Sequence, residues 1–232
     1  MQIVVTHLTR MKPGYICVAG IDAATGKHVR PVLSGRLSAG LLRKNGGVFE
    51  IGGLVDLGAV KLVGHQPEIE DHLFSVGNLA YVKRVSPGEL WGYLLGTSEK
   101  ELKGIFGPAL QKNGNGCTVD LNSGAASLGN LQQAQISHLG VNGFGKIRIG
   151  LSDGNFSPDL SVTDIRLYEG DHQTPRQEIV DAVANRIPRT GVILAVGLSR
   201  PFTKPGDAAA RHWLQVNNIH LEEDPLGQLF KY

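Results

Sequence analysis

Tyr15-Ile16-Cys17-Val18-Ala19-Gly20-Ile21 is a run of apolar, β-branched and aromatic residues, and extended structure resumes six residues later at His28-Val29-Arg30-Pro31-Val32-Leu33. The intervening Asp22-Ala23-Ala24-Thr25-Gly26-Lys27 carries the Asp, Thr and Gly that are typical of turns. Two short apolar runs on either side of a turn are typical of paired strands. The sequence therefore predicts a β-hairpin over residues 15–33, whose second strand contains the pair Arg30-Pro31.

Segments of the same character follow in the second half of the chain. Residues 146–151 and 160–168 alternate apolar and polar side chains around Asp153-Gly154-Asn155, which predicts another hairpin. The apolar run at 191–198 predicts a buried strand, and a second Arg-Pro pair, Arg200-Pro201, follows it directly. Both halves therefore contain a hairpin and an apolar strand that reaches an Arg-Pro pair.

Short helices are predicted between the strands of each half. Ser86-Pro87-Gly88-Glu89 has the N-cap, the proline and the acidic residue of a helix start, so two short helices are expected within residues 87–106. Thr174-Pro175-Arg176-Gln177-Glu178 combines the same features. It is expected to start a helix that ends before Pro188.

The composition favours many short elements joined by tight turns. The chain has 232 residues with 31 Gly and 11 Pro, which suits β architecture better than long helices. The expected fold class is mainly β with a few short helices (α+β), built as two small β-barrels packed together. Residues 113–130 are rich in Gly, Asn and Ser and are predicted to be a linker or loop. It would join a first barrel at 1–112 to a second at 131–232, each with a helical insert.

The charge balance excludes some classes of protein. The chain has 23 Lys and Arg against 21 Asp and Glu, a net charge of +2. This is too balanced for a strongly basic nucleic-acid-binding protein or a polybasic membrane-surface protein, so an anionic partner is expected to meet a local patch. The N-terminus lacks the basic and apolar regions of a secretory signal, and no run approaches a membrane span. A cytoplasmic location without membrane contact is therefore predicted.

Polar residues cluster where apolar strands end, which is where barrels place binding sites. The guanidinium of Arg30 or Arg200 can donate two parallel hydrogen bonds to a phosphate, and Asn, Gln or His side chains can bind base edges or ribose hydroxyls. The alternative is that both arginines pair with acidic residues on a solvated face. The predicted nucleic-acid-binding residues are Lys12, Arg30, Arg200, Lys204, His212, Trp213, Gln215 and Asn217.

Residues 211–225 hold the densest group of these side chains. A strand is predicted at His212-Trp213-Leu214-Gln215-Val216-Asn217. Strict alternation would send Trp213 to one face and the polar His212 with the apolar Leu214 to the other, so one of these residues would lie on the wrong face. A β-bulge would remove this conflict. Local conflicts of this kind are typical of functional sites. The alternative is that Trp213 lies in the core and its polar neighbours cap backbone groups.

An enzymatic function is the alternative to binding. His7-Leu8-Thr9 matches half of the paired His-x-Thr signature of a phosphoesterase class whose two histidines act as acid and base, and the sequence has no second copy. His7 and His212 are the catalytic candidates of such a phosphodiesterase, or of a nucleotide- or nucleoside-processing enzyme. Glu68, Glu70 and Asp71-His72 are interpreted as a solvated face rather than a metal site. No metal or cofactor is predicted.

Several segments together resemble one family across nearly the whole chain. They are Gly14-Tyr15-Ile16-Cys17-Val18-Ala19-Gly20-Ile21-Asp22, Lys27-His28-Val29-Arg30-Pro31-Val32, Leu160-Ser161-Val162-Thr163-Asp164, Gly197-Leu198-Ser199-Arg200-Pro201-Phe202 and His212-Trp213-Leu214-Gln215-Val216-Asn217. The chain resembles the dual OB-containing domain family of bacteria and archaea. This resemblance implies two oligonucleotide/oligosaccharide-binding (OB) barrels and nucleic-acid binding, often in genome defence or repair. The resemblance also implies which residues belong to the family's recurrent polar motifs, and it gives none of them a catalytic role. These residues are Arg30, Arg200, His212, Trp213, Gln215 and Asn217.

The binding hypothesis makes a geometric prediction. A single-stranded or structured DNA or RNA, or a nucleotide, would lie in a polar groove across both barrels. Its phosphates would contact Lys12, Arg30, Arg200 and Lys204, and its bases would stack on Tyr81, Tyr168 or Trp213. Arg30 and Arg200 are therefore expected to share one groove with His212 and Asn217.

Overall fold

The hairpin at residues 15–33 lies at the centre of the first of two β-sheet units. In a computed structural model that describes residues 1–230, Gly20 pairs with Val29 and Ile21 with His28, which confirms the hairpin. The strands of this sheet are β1 (Gln2–Arg10), β2 (Tyr15–Asp22), β3 (His28–Val32), β4 (Leu37–Ser38), β5 (Gly53–Asp56), β6 (Lys61–Leu62), β7 (Asp71–Leu73) and β8 (Ala80–Arg84). Their order is β6-β7-β3-β2-β1-β5-β8, with β4 beside β2.

The second unit contains two further sheets. Its strands are β9 (Ser98–Glu99), β10 (Gln111–Asn113), β11 (Gly116–Asp120), β12 (Leu128–Gln132), β13 (Gln135–Val141), β14 (Ile147–Ser152), β15 (Asp159–Ser161), β16 (Val192–Leu198) and β17 (Arg211–Leu221). One sheet has the order β10-β11-β17-β16-β12-β9, and the other has the order β13-β14-β15. A bridge between Val162 and Val216 joins the two sheets. The predicted second hairpin is confirmed as β14 paired with β15.

Three short α-helices accompany these sheets, as predicted. They are α1 (Pro87–Gly96), α2 (Leu102–Phe106) and α3 (Gln177–Arg186). The predicted start of α3 is wrong, because Arg176 is its N-cap and Thr174 and Pro175 lie before the helix. The expected capping box is present at α1, where Glu89 N donates to Ser86 Oγ at 3.2 Å and Ser86 N donates to the Glu89 carboxylate at 2.7 Å. The fold is therefore mainly β with few helices.

Two hydrophobic cores divide the molecule. Leu90 and Leu94 of α1 pack in the first core, and Leu102 of α2 packs in the second. The chain therefore passes from one core to the other between residues 94 and 102, earlier than the predicted linker. Ile165, Ile193 and Leu226 return from the second half of the sequence to pack in the first core.

The predicted linker or loop at 113–130 is instead about half β structure. It contains the last residue of β10, all of β11 and the start of β12, which belong to the second unit. Three of its Gly and Asn residues lie in turns or bends with positive φ angles, Gly114 at 57°, Asn122 at 56° and Gly124 at 93°. Residue types that readily adopt positive φ angles occur both in tight turns and in linkers, and here they occur in turns or bends.

Candidate functional site

A seam of polar contacts between β1 and β17 joins the two units. Leu8 N donates to Asn218 Oδ1 at 2.7 Å, and Asn218 Nδ2 donates to Leu8 O at 3.3 Å. The Nε2 atom of His220 lies 2.9 Å from Thr6 O. Because Asn218 and His220 are fully buried, these contacts satisfy backbone groups that water does not reach.

Both strands of the seam are bulged. The register of β1 against β2 shifts between Val5 and His7, so Thr6 is the extra residue. The register of β17 against β16 shifts so that Asn217 is the extra residue. This bulge does not resolve the conflict predicted at His212, Trp213 and Leu214, because those three residues keep a regular register with their partners. A bulge changes the direction in which side chains point, and it is typical of strands beside functional sites.

A cavity of about 460 Å³ opens at one end of this seam. Its walls are the end of β1, the β2 and β3 strands, and the ends of β16 and β17. Five basic side chains line it, and none of the described residues in its lining is acidic. We call it the Arg cavity, after its basic residues Arg10, Lys12, Arg30, Arg36 and Arg200.

Asp71 connects the two arginines of the Arg-Pro pairs. Its carboxylate accepts a hydrogen bond from Arg30 Nε and another from Arg200 Nη2. Arg200 Nη1 also donates to Glu68 Oε1 at 3.1 Å. The side chain of Arg30 is 5% exposed and that of Arg200 is 51% exposed, so Arg200 presents the accessible guanidinium.

The prediction that the acidic residues of the turn at 68–71 form a solvated face is wrong. Glu68, Glu70 and Asp71 are each at most 6% exposed. Parallel pairing of β7 with β3 sets Asp71 opposite Arg30. Glu70 accepts hydrogen bonds from Ser127 N and Oγ at 2.9 and 2.8 Å, which connects the turn to the second unit. A buried guanidinium group such as that of Arg30 needs a carboxylate partner, and this turn supplies it.

The predicted shared groove exists in part. Arg30, Arg200 and Asn217 line the Arg cavity together, as do the predicted residues Lys12 and Gln215. His212 does not line it. The His212 ring is buried, its Nδ1 lies 3.0 Å from Ser199 O, and it lies 3.7 Å from Glu68 Oε1. His212 therefore supports the strand end that carries Arg200.

A second cavity, of about 390 Å³, adjoins the first. Trp213, Phe202 and Lys204 line it, together with amide side chains such as Asn115, and we call it the Trp cavity. The two cavities share Ser199 and Gln215 in their walls. They therefore form one continuous groove, and all the predicted binding residues except His212 line it.

The family model of the dual OB-containing domain matches residues 1–219. The chain belongs to the dual OB-containing domain family. A crystal structure of the tetrameric p202 HIN2 is similar over 95% of this chain and 90% of that chain, with 10% sequence identity and a TM-score of 0.31. No curated protein matches the chain. The expectation of two OB-like barrels is confirmed, and OB barrels generally bind oligonucleotides or oligosaccharides.

Three histidines of this dual OB-containing domain lie at the seam. His7 and His28 form an edge contact with ring centroids 5.6 Å apart. Burial lowers the pKa of His28 and of His220 to about 4. Burial, together with the two neighbouring histidines, lowers the pKa of His7 well below its usual value. All three are neutral at pH 7.

Neither catalytic candidate lines the Arg cavity. His7 is 1% exposed, and its Nδ1 lies 3.0 Å from the hydroxyl of Thr6. Of the other stacking candidates, Tyr168 is buried and donates its hydroxyl to Val162 O at 2.7 Å. Tyr81 donates to Glu50 at 2.7 Å and lies under Arg43, away from both cavities. Trp213 is therefore the stacking candidate that the groove contains.

Residues 1–230 contain no group of three or more His, Cys, Asp or Glu side chains arranged to hold a metal ion. None of their helices has the length and apolar character needed to cross a membrane.

Proposed function

We propose that this dual OB-containing domain binds single-stranded or structured DNA or RNA in the groove formed by the Arg and Trp cavities. The observation that carries the proposal is the lining of the Arg cavity, which has five cations and no described acidic residue. The whole chain has a net charge of only +2, so this concentration of positive charge is local. Phosphate contacts supply much of the affinity of proteins for nucleic acids.

The cations of the Arg cavity differ in their availability. Arg30 and Arg200 share Asp71 and Glu68, so carboxylates offset their charge. Arg10 donates to His172 O at 3.2 Å and lies 4.2 Å from the centre of the Tyr168 ring, and neither contact is with a carboxylate. Lys12 and Arg36 are exposed at the rim. Arg10, Lys12 and Arg36 therefore supply the excess positive charge for a phosphate.

Uncharged polar side chains also line the groove, and the Trp cavity adds the charged residues Arg148, Asp159 and Asp207. Gln215 Nε2 donates to Asn217 Oδ1 at 3.1 Å, and Thr163 Oγ1 lies 3.5 Å from the same oxygen. Amide groups of this kind donate to and accept from base edges and ribose hydroxyls. The groove therefore combines phosphate-binding cations with groups that suit a base.

The proposal predicts that binding weakens strongly as the salt concentration rises. It also predicts that two rim residues contribute to this salt dependence. Each phosphate contact to a single strand contributes a slope of about 0.7 to the dependence of log affinity on log salt. The double variant Lys12→Ala/Arg36→Ala should therefore bind labelled single-stranded DNA or RNA more weakly, with a slope lower by roughly 1.4. Binding would be measured by fluorescence anisotropy at several salt concentrations.

The matched control is Lys61→Ala/Arg189→Ala, which removes one exposed lysine and one exposed arginine that lie outside the Arg cavity. Equal losses in both double variants, or an absence of retention of DNA, RNA and mononucleotides, would overturn the proposal. The same samples should be examined for cleavage products. Product that disappears in His7→Ala or His212→Ala would replace binding with the enzymatic hypothesis.

A further inference from the structure

The loop of residues 199–210 between β16 and β17 extends along both cavities. It carries Arg200 in the Arg cavity, and Phe202 and Lys204 in the Trp cavity. Phe202 pairs through its backbone with Arg211, and its ring centroid lies 6.0 Å from that of Trp213. One loop therefore sets the distance between the phosphate site and an aromatic pair.

Lys204 covers the Trp213 ring of this aromatic pair. Its Nζ atom lies 3.1 Å from the centre of the Trp213 ring, an arrangement that the ring quadrupole attracts. Trp213 is only 9% exposed, whereas Phe202 is 45% exposed. One face of the Trp213 indole is therefore occupied by an ammonium group from a flexible side chain.

We propose that Lys204 is a displaceable cap on a base-stacking site formed by Trp213 and Phe202. A nucleobase takes the place of the ammonium group on the indole face, and the ammonium group moves to a phosphate of the same strand. This inference rests on the proposed function. It narrows the ligand to nucleic acid with an unpaired base, because a paired base is already stacked within its duplex.

The energetics favour this exchange. A cation over an aromatic ring at an accessible site contributes modestly, whereas stacking of a base on an aromatic side chain is sequence-tolerant and stronger. Burial also lowers the pKa of the Lys204 ammonium, so leaving the indole restores its hydration. The displaced ammonium gains a phosphate partner, and the loop need not unfold because the lysine stem alone can move.

The first test uses Trp213 fluorescence. The chain has two tryptophans, so a Trp91→Phe variant leaves Trp213 as the single reporter. We would titrate it with an oligothymidylate of about 12 nucleotides, an abasic oligonucleotide of equal length and a blunt hairpin duplex. The oligothymidylate should quench Trp213 emission and bind about tenfold more tightly than the abasic strand.

The second test uses matched variants. Phe202→Ala should reduce the preference for the oligothymidylate over the abasic strand, whereas Phe144→Ala, which removes an exposed phenylalanine outside the groove, should not. Lys204→Ala should lower the salt slope by about 0.7, because one phosphate contact is lost. It should leave the quenching by the oligothymidylate in place.

The outcomes separate the two proposals. Equal affinity for the oligothymidylate and the abasic strand, without a change in Trp213 emission, would overturn the stacking site and leave phosphate binding intact. An unchanged salt slope in Lys204→Ala would overturn the exchange. Failure of every strand to bind would overturn the proposed function and this inference with it.

Discussion

The buried histidines make the stability of the protein depend on pH. His220 is fully buried, and its folded pKa of about 4 lies below the usual value of 6.5. Between these values the unfolded chain binds a proton that the folded chain does not bind. The contribution of the neutral His220 side chain to the free energy of unfolding is therefore complete above pH 6.5 and is lost as the pH falls toward 4.

His220→Gln should flatten this pH dependence. For the native protein, His220 alone should remove about 2 kcal/mol from the free energy of unfolding between pH 6.5 and about pH 5. Urea denaturation of both proteins at those two pH values measures the difference. His138→Gln, at a half-exposed histidine, is the control and should retain the native pH dependence. Identical pH dependence in native protein and His220→Gln would contradict the expectation.

Individual residues also show where sequence reasoning succeeds and where it stops. Arg30 and Arg200 could be predicted as candidate binding residues because each lies in or after an apolar strand and precedes a proline, and both line the Arg cavity. Their partner Asp71 could not be predicted, because it is 41 residues from Arg30 in sequence and approaches it only through the parallel pairing of β7 with β3. Three acids beside a proline have the composition of an exposed turn, and only the tertiary fold buries them.

At the scale of elements, the bulge in β1 depends on a close approach of β2. Val5 of β1 pairs with Gly20 of β2, directly beside the bulged residue Thr6. A Cβ atom at position 20 would collide with the carbonyl oxygen of Val4. Backbone cannot move aside as a flexible side chain can, so glycine is required at this position for steric reasons.

Gly20→Ala should therefore lower the free energy of unfolding by roughly 1–3 kcal/mol, because the two strands must separate to accept the methyl group. Gly92→Ala in α1 is the matched control. Nothing lies within 4 Å of a Cβ atom there, so that variant should gain roughly 0.5–1 kcal/mol from helix propensity. Urea denaturation compares the three proteins. A Gly20→Ala protein of native stability would show that β1 and β2 are not held this closely.

Element prediction was more successful for strands and helices than for the connections between them. The capping box of α1 and the hairpin at β2 and β3 follow from local residue types, and both were predicted. The stretch 113–130 was not, because turn chemistry looks the same in a β-hairpin and in a linker. The bulge at Asn217 was not predicted, because the sequence indicated a break in alternation at His212, Trp213 and Leu214, which pair in regular register.

At the scale of the whole molecule, the two barrels share too many interactions to act separately. Asn218 of the second unit satisfies both backbone groups of Leu8 in the first. Glu70 of the first unit accepts from Ser127 of the second. Unfolding one unit would leave buried polar groups of the other without partners, at a cost of about 1–3 kcal/mol for each group.

The two units should therefore unfold in one transition, and the tryptophans allow a direct test. Trp91 packs against the first core and Trp213 lies in β17 of the second unit, so Trp213→Phe and Trp91→Phe variants each leave one reporter. Urea denaturation followed by fluorescence should give the same midpoint from both reporters. Asn218→Ala, introduced in each background, should lower both midpoints together, because it removes the contacts with Leu8. Midpoints that separate, or an Asn218→Ala effect confined to Trp213, would show two independent barrels, and a groove built from both could then open without unfolding either.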